Sequence, residues 1–186
     1  MTQFLTFDDV LIKPQFSNII SRKDVSLTTK LSNSTLSINL KLPILSANMD
    51  TITGPDMAIA MAKAGGLGVL HRFWPIEANL DAFRKVLAAE ATCAVSVGLG
   101  DYELKRAISL YEAGCEIFVL DVAHAAQIAV VAQYERLKRT LKDSFVIVGN
   151  FATLDSVKDF AKALNGKSFD ICSSLFNHIE LLTVPV

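Results

Sequence analysis

The sequence predicts an α/β protein whose parallel strands are buried on both faces. From Leu42 onward, short and almost entirely apolar segments alternate with amphipathic ones. Apolar strands joined by helices are typical of parallel sheets, because helices cover both faces of such a sheet. The apolar segments also end in polar residues, as strands do where α/β proteins bind ligands. A (β/α) barrel and a doubly wound sheet are both compatible with this pattern.

The composition predicts a globular domain with a sizeable core. The chain has 186 residues, of which 51% are hydrophobic and 20% are charged, and its formal net charge is -1. A nucleic-acid-binding surface needs an excess of basic residues, which this chain lacks. No apolar run approaches the ~20 residues of a membrane-spanning helix. We therefore expect neither nucleic acid nor a membrane as a partner.

Cysteine usage indicates a reducing compartment. Cys93, Cys115 and Cys172 are odd in number and far apart, which fits neither a disulfide framework nor a zinc-binding pattern. Free cysteines usually behave as small, buried apolar residues. We therefore expect reduced thiols, no metal site and a cytoplasmic location. The amino terminus lacks the basic and apolar regions of a secretory signal, so secretion is not expected.

The segment before the repeats has a different character. Residues 17–41 are rich in Ser, Thr and Asn, and their Leu and Ile residues are spaced as in short alternating strands. This pattern predicts an N-terminal arm, residues 1–41, that wraps the bottom of a barrel or sheet. A mobile leader is the alternative for parts of residues 32–37.

The first strand–helix–strand unit spans residues 42–73. An apolar strand at 43–45 leads into a polar corner at 48–51, and a second strand follows at 67–70. Between them, a helix is predicted to open at Gly54-Pro55 and to end at Gly65-Gly66, because proline favours the first helical turn and glycine the position after the last. The apolar face predicted for this helix consists of Met57, Ala60, Met61 and Ala64.

Four further helices and four further strands are predicted from the spacing of apolar residues. The helical faces are expected to be Ile76, Leu80, Phe83 and Leu87; Leu104, Ile108 and Tyr111; Val130, Tyr134, Leu137 and Leu141; and Val157, Phe160, Ala161 and Leu164, with Thr153 as an N-cap. The strands are expected at 93–97, 117–120 and 145–148, with a sixth beginning within 169–175.

Polar residues follow each predicted strand. They are Asn48 and Asp50, His71 and Arg72, Gly98 and Gly100, Asp121 and His124, and Asn150 and Thr153. Because the carboxyl ends of parallel strands face one way, these residues are expected to converge on one rim, where ligands bind.

Each candidate also has a structural interpretation. Asp50 would bond amides at the helix start, and Asp121 is either a helix cap or a ligand for ribose hydroxyls or a nicotinamide. His71 and His124 are either packed or catalytic. Arg72 either holds a phosphate or lies in water. The Gly98–Gly100 segment is only a weak phosphate-loop signal, because Glu103 stands where the fingerprint has its third glycine.

Several blocks, in order, resemble the IMP dehydrogenase/GMP reductase family. They are Phe7-Asp8-Asp9-Val10-Leu11-Ile12-Lys13-Pro14, Ser21-Arg22, Asn48-Met49-Asp50-Thr51, Met57 to Ala62 through Gly65-Gly66-Leu67-Gly68, Asp121-Val122-Ala123-His124 and Gly149-Asn150-Phe151-Ala152-Thr153. The resemblance covers about residues 4–165 and implies a (β/α)₈ TIM-type barrel. The expected segments are then the arm at 1–41, a partial barrel of five to six strand–helix units at 42–167, and a divergent tail at 168–186.

Within the family the chain looks more like GMP reductase. One helix separates Arg72 from Cys93, where IMP dehydrogenases carry a paired-CBS insertion, and Asn48 precedes Met49 where the dehydrogenases usually have proline. The resemblance implies NADPH-dependent conversion of GMP to IMP and ammonia, through a cysteine thiolate, by a homo-oligomer that is tetrameric in the family. It places the purine nucleotide against Ala47, Asn48 and Met49. It places the cofactor against Arg72, Asp121 and Asn150.

The chain departs from the family in two places. Ala125-Ala126 replace a glycine-containing segment, which crowds the expected approach of backbone to cofactor. The glycine-rich loop with the catalytic cysteine is also not found, because no glycine follows Gly166 and the segment Cys172 to His178 does not match that loop. No catalytic residue is therefore assigned. The hypothesis is a truncated or frameshifted gene, with an open sheet edge in place of the missing strands.

Three functional hypotheses follow from these observations. The first is a GMP reductase-type oxidoreductase, and its variant within the family is an IMP dehydrogenase that lacks the CBS insertion. The second is a non-catalytic barrel fragment that binds a nucleotide or a partner subunit. The third, a phosphosugar enzyme on a similar barrel, needs a phosphate loop near the seventh and eighth strands, which the sequence does not show.

Overall fold

The computed structural model describes residues 11, 13–165, 169–176 and 179–183, and the side chains of these up to Asp170. Most of the predicted motif at 7–14 therefore lies outside the described residues. The strands are β1 Thr29–Ser32, β2 Ser37–Leu40, β3 Leu45–Ser46, β4 Gly68–Leu70, β5 Cys93–Val97, β6 Ile117–Asp121, β7 Phe145–Gly149, β8 Ile171–Phe176 and β9 Ile179–Thr183. The helices are α1 Pro55–Ala64, α2 Ile76–Ala88, α3 Asp101–Glu112, α4 Ile128–Thr140 and α5 Leu154–Ala163.

The main sheet is a partial (β/α) barrel, as the sequence predicts. Strands β4 to β8 are parallel and lie side by side in chain order, and each is followed or preceded by one of the helices. Strand β3 joins β4 through a parallel bridge between Leu45 and Leu67. The described chain thus supplies six parallel strands and five helices of the barrel type.

The expectation of an open sheet edge is wrong. Strand β9 runs antiparallel to β8 and also pairs with β3, where Leu45 lies opposite Glu180. With the bridge between β3 and β4, the seven strands form a closed ring. Backbone hydrogen bonds to β9 therefore satisfy the polar groups along β8 and β3, which an unpaired edge would leave exposed.

Alternation along the strands separates two apolar cores. Every second side chain of a strand points into the ring, as Val69, Val119 and Ile147 do. The side chains that follow them, Leu70, Leu120 and Val148, pack against the helices. Successive side chains of a strand point to opposite faces, so each barrel strand is buried twice. This double burial is why the strands are almost entirely apolar, with the buried Ser96 of β5 as an exception.

The arm supplies the lower part of the inner core. Strands β1 and β2 form an antiparallel hairpin in which Leu31 faces Ile38. Both residues, with Leu40, join the cluster inside the ring near the starts of β3, β4, β6 and β7. The hairpin therefore lies at the amino-terminal ends of the strands, opposite the polar rim. Its apolar alternation is visible in the sequence because only one of its faces is buried.

Helices α4 and α5 pack through the predicted residues. Val130, Tyr134 and Leu137 on α4 are buried. Thr153 caps α5 in a capping box with Ser156, and Phe160 of that helix is buried. Both helices are strongly amphipathic, so the period of the apolar residues identifies the buried side correctly.

The face predicted for α1 is wrong. Ala58 is its buried residue, whereas Met57, placed on the predicted face, is 42% exposed. Leu87 at the end of α2 is likewise 52% exposed, and Asn79 is buried instead. Apart from one polar side with Asp56 and Lys63, helix α1 is apolar, so the period of its apolar residues does not single out the buried face. Close approach to β4 makes the choice, because only a small side chain fits there.

Among the residues that the structure describes, no helix combines the length and the apolar character that crossing a bilayer requires.

Candidate functional site

Three predicted residues meet on the carboxyl-end rim of the ring. Asn48 follows β3, Arg72 follows β4, and Asp121 ends β6. Arg72 Nε lies 4.0 Å from Asp121 Oδ2, and Asn48 is close enough to interact with the Asp121 carboxylate. The rim thus brings together residues that the sequence assigned separately to the nucleotide and the cofactor. Their meeting follows from the parallel strands, whose carboxyl ends share one side of the sheet.

The cluster of Asn48, Arg72 and Asp121 has unused hydrogen-bonding capacity. Among the residues whose side chains are described, Asn48 Nδ2 and Arg72 Nε are buried and have no hydrogen-bond partner of ordinary geometry. The distance of 4.0 Å to Asp121 is that of an ion pair and is too long for a hydrogen bond. Buried polar groups in folded proteins are nearly always paired, so unpaired donors at a rim indicate a ligand that accepts hydrogen bonds.

Asp121 supplies the acceptor of this cluster. Burial raises the pKa of the Asp121 carboxyl, and the Asn48 amide and the Arg72 guanidinium oppose that shift only in part. A carboxylate that is mostly desolvated gains from any hydroxyl or amide donor that a ligand brings. The cluster therefore offers two donors and one acceptor to a polar ligand.

Asp121→Asn should change how stability depends on pH. Because the pKa of Asp121 is raised in the folded state, the folded protein binds a proton there more tightly than the unfolded chain does. Its contribution to stability is therefore largest below the unfolded pKa of about 3.9 and is lost as pH rises through the folded pKa. Urea unfolding should show the variant gaining stability relative to the parent from about pH 4 upward.

The matched control for this series is Asp159→Asn, because Asp159 is exposed and pairs only with Lys162 on the same helix. An exposed ion pair of this kind contributes little to stability, so this variant measures the loss of a surface carboxylate. If Asp121→Asn behaves like Asp159→Asn, burial is not what controls the Asp121 carboxyl.

The other predicted binding residues differ in accessibility. Ala47 is buried, and its carbonyl accepts a hydrogen bond of 2.5 Å from Thr53 Oγ1, so it fixes the loop after β3. Met49 is 38% exposed beside it. The Asn150 amide donates a hydrogen bond of 2.7 Å to the Val122 carbonyl, and this bond connects the end of β7 to the end of β6. Their roles in binding stay predictions.

His71 is packed. It is fully buried, its Nδ1 accepts a hydrogen bond of 3.2 Å from the Phe73 amide, and its ring lies 3.7 Å from that of Trp74. Burial, more than the nearby Arg106 charge, lowers its pKa, while Asp50 opposes the shift. A neutral imidazole whose Nδ1 accepts carries its proton on Nε2, and that atom has no partner within the described residues.

The segment Gly98–Gly100 does not form a phosphate cradle. The Glu103 carboxylate accepts a hydrogen bond of 2.8 Å from the Gly98 amide, so a buried anion already occupies the donor that a phosphate would use. Gly98 serves a different purpose. A Cβ at this position would lie 3.1 Å from Cζ and Nη1 of Arg72, so the glycine gives the guanidinium room against the backbone.

Sequence reasoning missed three buried polar residues behind the rim, namely Asn79, Glu103 and Arg106. The available signal was Glu103 and Arg106 at a helical spacing of i and i+3, which commonly marks an exposed ion pair. Here the pair lies between α3 and the strand ends, and Leu104, Ile108 and Tyr111 of the predicted face are only partly buried. A single sequence cannot distinguish a buried ion pair from an exposed one.

The two described thiols are unsuited to nucleophilic catalysis. Burial raises the pKa of Cys93 to about 12 and raises that of Cys115 well above its usual range. The thiolate is the nucleophile of a cysteine, so neither residue is activated. The side chain of Cys172 lies outside the described residues. Within the described part of the chain, no group of acidic, His and Cys side chains has the arrangement of a metal site.

We expect Cys93 and Cys115 to resist alkylation in the folded protein. Iodoacetamide at about pH 8 should leave both unmodified, because a thiol with a pKa raised to about 12 is almost entirely protonated there. In urea both should react within the same time. Peptide mass spectrometry reads each cysteine separately, and modification of either thiol without unfolding would contradict their burial.

Comparison with known proteins agrees with this fold. The family described as "IMP dehydrogenase / GMP reductase domain" matches residues 4–166. Inosine-5'-monophosphate dehydrogenase of Nitrosopumilus maritimus is 34% identical over 98% of this chain and 37% of its own length. GMP reductase of Bacillus subtilis is 32% identical over 88% of this chain and 49% of its own length.

The solved structures give the same result. The crystal structure of inosine 5' monophosphate dehydrogenase from Legionella pneumophila matches with a TM-score of 0.75 and 40% identity, over 87% of this chain and 48% of that one. The chain spans about half or less of the length of these relatives. The match to more than three quarters of the chain nevertheless identifies the fold and the lineage. The chain belongs to the IMP dehydrogenase/GMP reductase domain family.

Proposed function

We propose that the protein is a purine-nucleotide oxidoreductase of GMP reductase type. The observation that supports this function is the cluster of Asn48, Arg72 and Asp121, whose buried donors lack partners at the rim where family members react. In this proposal the protein uses NADPH to convert GMP to IMP and ammonia. The purine nucleotide lies against Ala47, Asn48 and Met49, and the cofactor lies against Arg72, Asp121 and Asn150.

The residues present fit a nicotinamide. Its carboxamide offers an oxygen to the unpaired Arg72 Nε, and its amide or ribose hydroxyl groups suit the Asp121 carboxylate. When bound, NADPH supplies the hydride. This chain's own residues would hold the ring and limit its contact with water, because Asn48 is buried and Arg72 and Asp121 are only partly exposed.

The choice of GMP reductase over IMP dehydrogenase rests on the connection between β4 and β5. Helix α2 alone joins Leu70 to Cys93, which leaves no place for the paired-CBS insertion expected of the dehydrogenases. An IMP dehydrogenase that lacks the insertion is the alternative within the family, and the substrate test distinguishes the two.

The test is to titrate the protein with GMP, IMP, NADPH and NAD by calorimetry and to follow the absorbance of the reduced nicotinamide with GMP present. If the proposal holds, GMP and NADPH bind, and NADPH is consumed as ammonia appears, with the thiolate supplied by a residue other than Cys93 and Cys115. Arg72→Met should weaken NADPH binding about tenfold, since a charge-assisted hydrogen bond contributes about 1.5–3 kcal/mol. Arg84→Met is the control, because Arg84 is exposed on α2 and pairs only with Asp81.

A non-catalytic nucleotide-binding module is the second candidate. It is favoured by the thiols, because the pKa values of Cys93 and Cys115 are raised and a thiolate is therefore not available at either. Binding of GMP and NADPH without consumption of NADPH would support this candidate. Oxidation of IMP with NAD would support the dehydrogenase alternative. If the folded protein binds none of these ligands, both candidates are rejected.

We further propose that the protein is a cytoplasmic homo-oligomer. Apolar side chains of the arm are almost fully exposed, namely Leu11 at 96%, Phe16 at 98% and Ile20 at 99%. Large apolar side chains exposed within one short segment are candidates for a protein contact. Sedimentation velocity should show an oligomer that dissociates in Phe16→Ser/Ile20→Ser. An unchanged sedimentation coefficient for that variant would contradict a role for the arm.

A further inference from the structure

A buried polar chain holds the backbone on both sides of Arg72. Arg106 Nη1 donates a hydrogen bond of 2.9 Å to the Trp74 carbonyl and another to Asn79 Oδ1. Asn79 Nδ2 in turn donates at 2.8 Å to the His71 carbonyl. The carbonyls immediately before Arg72 and two residues after it are thus fixed by side chains from α2 and α3.

The same chain holds the surface against which the Arg72 side chain lies. Arg106 Nε lies 3.2 Å from Glu103 Oε1, and Glu103 Oε2 accepts the Gly98 amide at 2.8 Å. Arg106 is 2% exposed and Glu103 is 8% exposed, so the pair is desolvated. Gly98 contacts the Arg72 guanidinium closely enough that a Cβ there would meet Cζ at 3.1 Å.

We infer that Arg106 is a positioning residue for the candidate site. Together with Glu103 and Asn79 it fixes both the loop that carries Arg72 and the glycine on which the Arg72 guanidinium rests. Arg106 does not itself reach the rim, so it acts through Arg72. The inference rests on the proposed function in one respect, namely that Arg72 binds the cofactor.

Stability alone does not account for such a pair. Two buried charges lose their hydration, and apolar residues of similar volume are often as stable in their place. An apolar pair lacks the planar guanidinium of Arg106, which donates to the Trp74 carbonyl, the Asn79 side-chain carbonyl and the Glu103 carboxylate at the same time. The geometry of Arg106 is therefore directed at fixing backbone positions, and the backbone it fixes is that of the β4–α2 loop and of Gly98.

The first test is a double-mutant cycle on cofactor binding. Arg106→Lys keeps the charge beside Glu103 but lacks the fork, and we expect it to weaken NADPH binding about tenfold while GMP binding changes less than about twofold. Arg72→Met should have a similar effect, and the double variant should bind no more weakly than either single variant. Additive losses would overturn the inference, because Arg106 would then act independently of Arg72.

The second test does not depend on any ligand and uses the arginine Nε–H resonances of the free protein. Arg106→Lys should shift or broaden the resonance of Arg72 and speed hydrogen exchange at the Gly98 amide. Arg84→Lys should leave both unchanged. A purely structural role would lower the unfolding midpoint without moving the Arg72 resonance, and that outcome would also overturn the inference.

Asn79→Ser provides the same test if Arg106→Lys does not fold. It removes the link to the His71 carbonyl while leaving the Glu103–Arg106 pair in place. Failure of the parent protein to bind NADPH would reject the proposed function and leave the resonance test of positioning intact. An Arg72 resonance unchanged in Asn79→Ser would overturn the positioning role even if NADPH binds.

Discussion

Asp170→Asn should lower the free energy of unfolding by about 3 kcal/mol, the cost of breaking a largely buried ion pair. Asp170 Oδ2 accepts hydrogen bonds of 2.9 Å from Lys138 Nζ and 2.8 Å from the Val146 amide, and Oδ1 accepts one of 3.0 Å from Asn33 Nδ2. The Asp170 side chain is 8% exposed. Its replacement leaves the partly buried Lys138 ammonium without its counter-ion.

The partners of Asp170 explain why the effect should be large. Asn33 belongs to the turn of the arm hairpin, Lys138 to α4 and Val146 to β7, so one carboxylate joins three parts of the fold next to the start of β8. The Asp170 amide also donates to Tyr134 Oη at 3.3 Å. Burial, with the Asp170 charge nearby, raises the pKa of Tyr134, so its hydroxyl stays protonated.

Urea unfolding followed by circular dichroism measures this effect. Asp159→Asn is the matched control, because its ion pair with Lys162 is exposed and should contribute less than about 1 kcal/mol. Lys138→Met, which removes the other partner, should lose a comparable amount. Equal midpoints for Asp170→Asn and Asp159→Asn would show that Asp170 does not join these elements.

Gly68→Ala should also destabilise the protein by about 3 kcal/mol, near the upper end of overpacking effects. A Cβ at position 68 would lie 2.4 Å from the Ala58 Cα and 2.8 Å from its Cβ. The nearest atom belongs to helix backbone and cannot rotate away, so α1 must move off β4. Gly68 does not have a left-handed backbone conformation, so the loss of stability would come from the steric clash with α1 and not from backbone strain.

The control for this prediction is Gly54→Ala, at the start of the same helix. A Cβ there would meet only Trp74, at 3.9 Å, which is an ordinary van der Waals contact. The N-cap position tolerates this change at a cost of less than about 1 kcal/mol. If thermal and urea unfolding show the same loss for both variants, close contact between α1 and β4 is not what requires Gly68.

The sequence predicts the repeating part of this fold well, because each barrel element carries its own signal. Strands β5, β6 and β7 are continuous apolar runs, and α4 and α5 each have one apolar side. Double burial of the strands and single burial of those helices leave these patterns in the residues themselves. For α1, which is apolar except on the side of Asp56 and Lys63, the pattern does not single out the buried face.

The rim could be predicted in part. The residues after each strand are identifiable, and their convergence follows from parallel topology. The distances between them could not be predicted, and neither could the buried Glu103–Arg106 pair that supports Arg72. Long polar side chains have many conformers, and whether an ion pair is exposed or buried depends on elements far away in the sequence.

By itself, then, the sequence determined the alternation of strands and helices, the polar ends of the strands and the resemblance to one enzyme family. Only the tertiary structure decided which small residue of α1 meets Gly68, how β9 closes the ring, and that Asn48, Arg72 and Asp121 share one cluster with unpaired donors. The physical reason is that periodicity is local, whereas close packing, edge pairing and desolvation arise between segments that are distant in the chain.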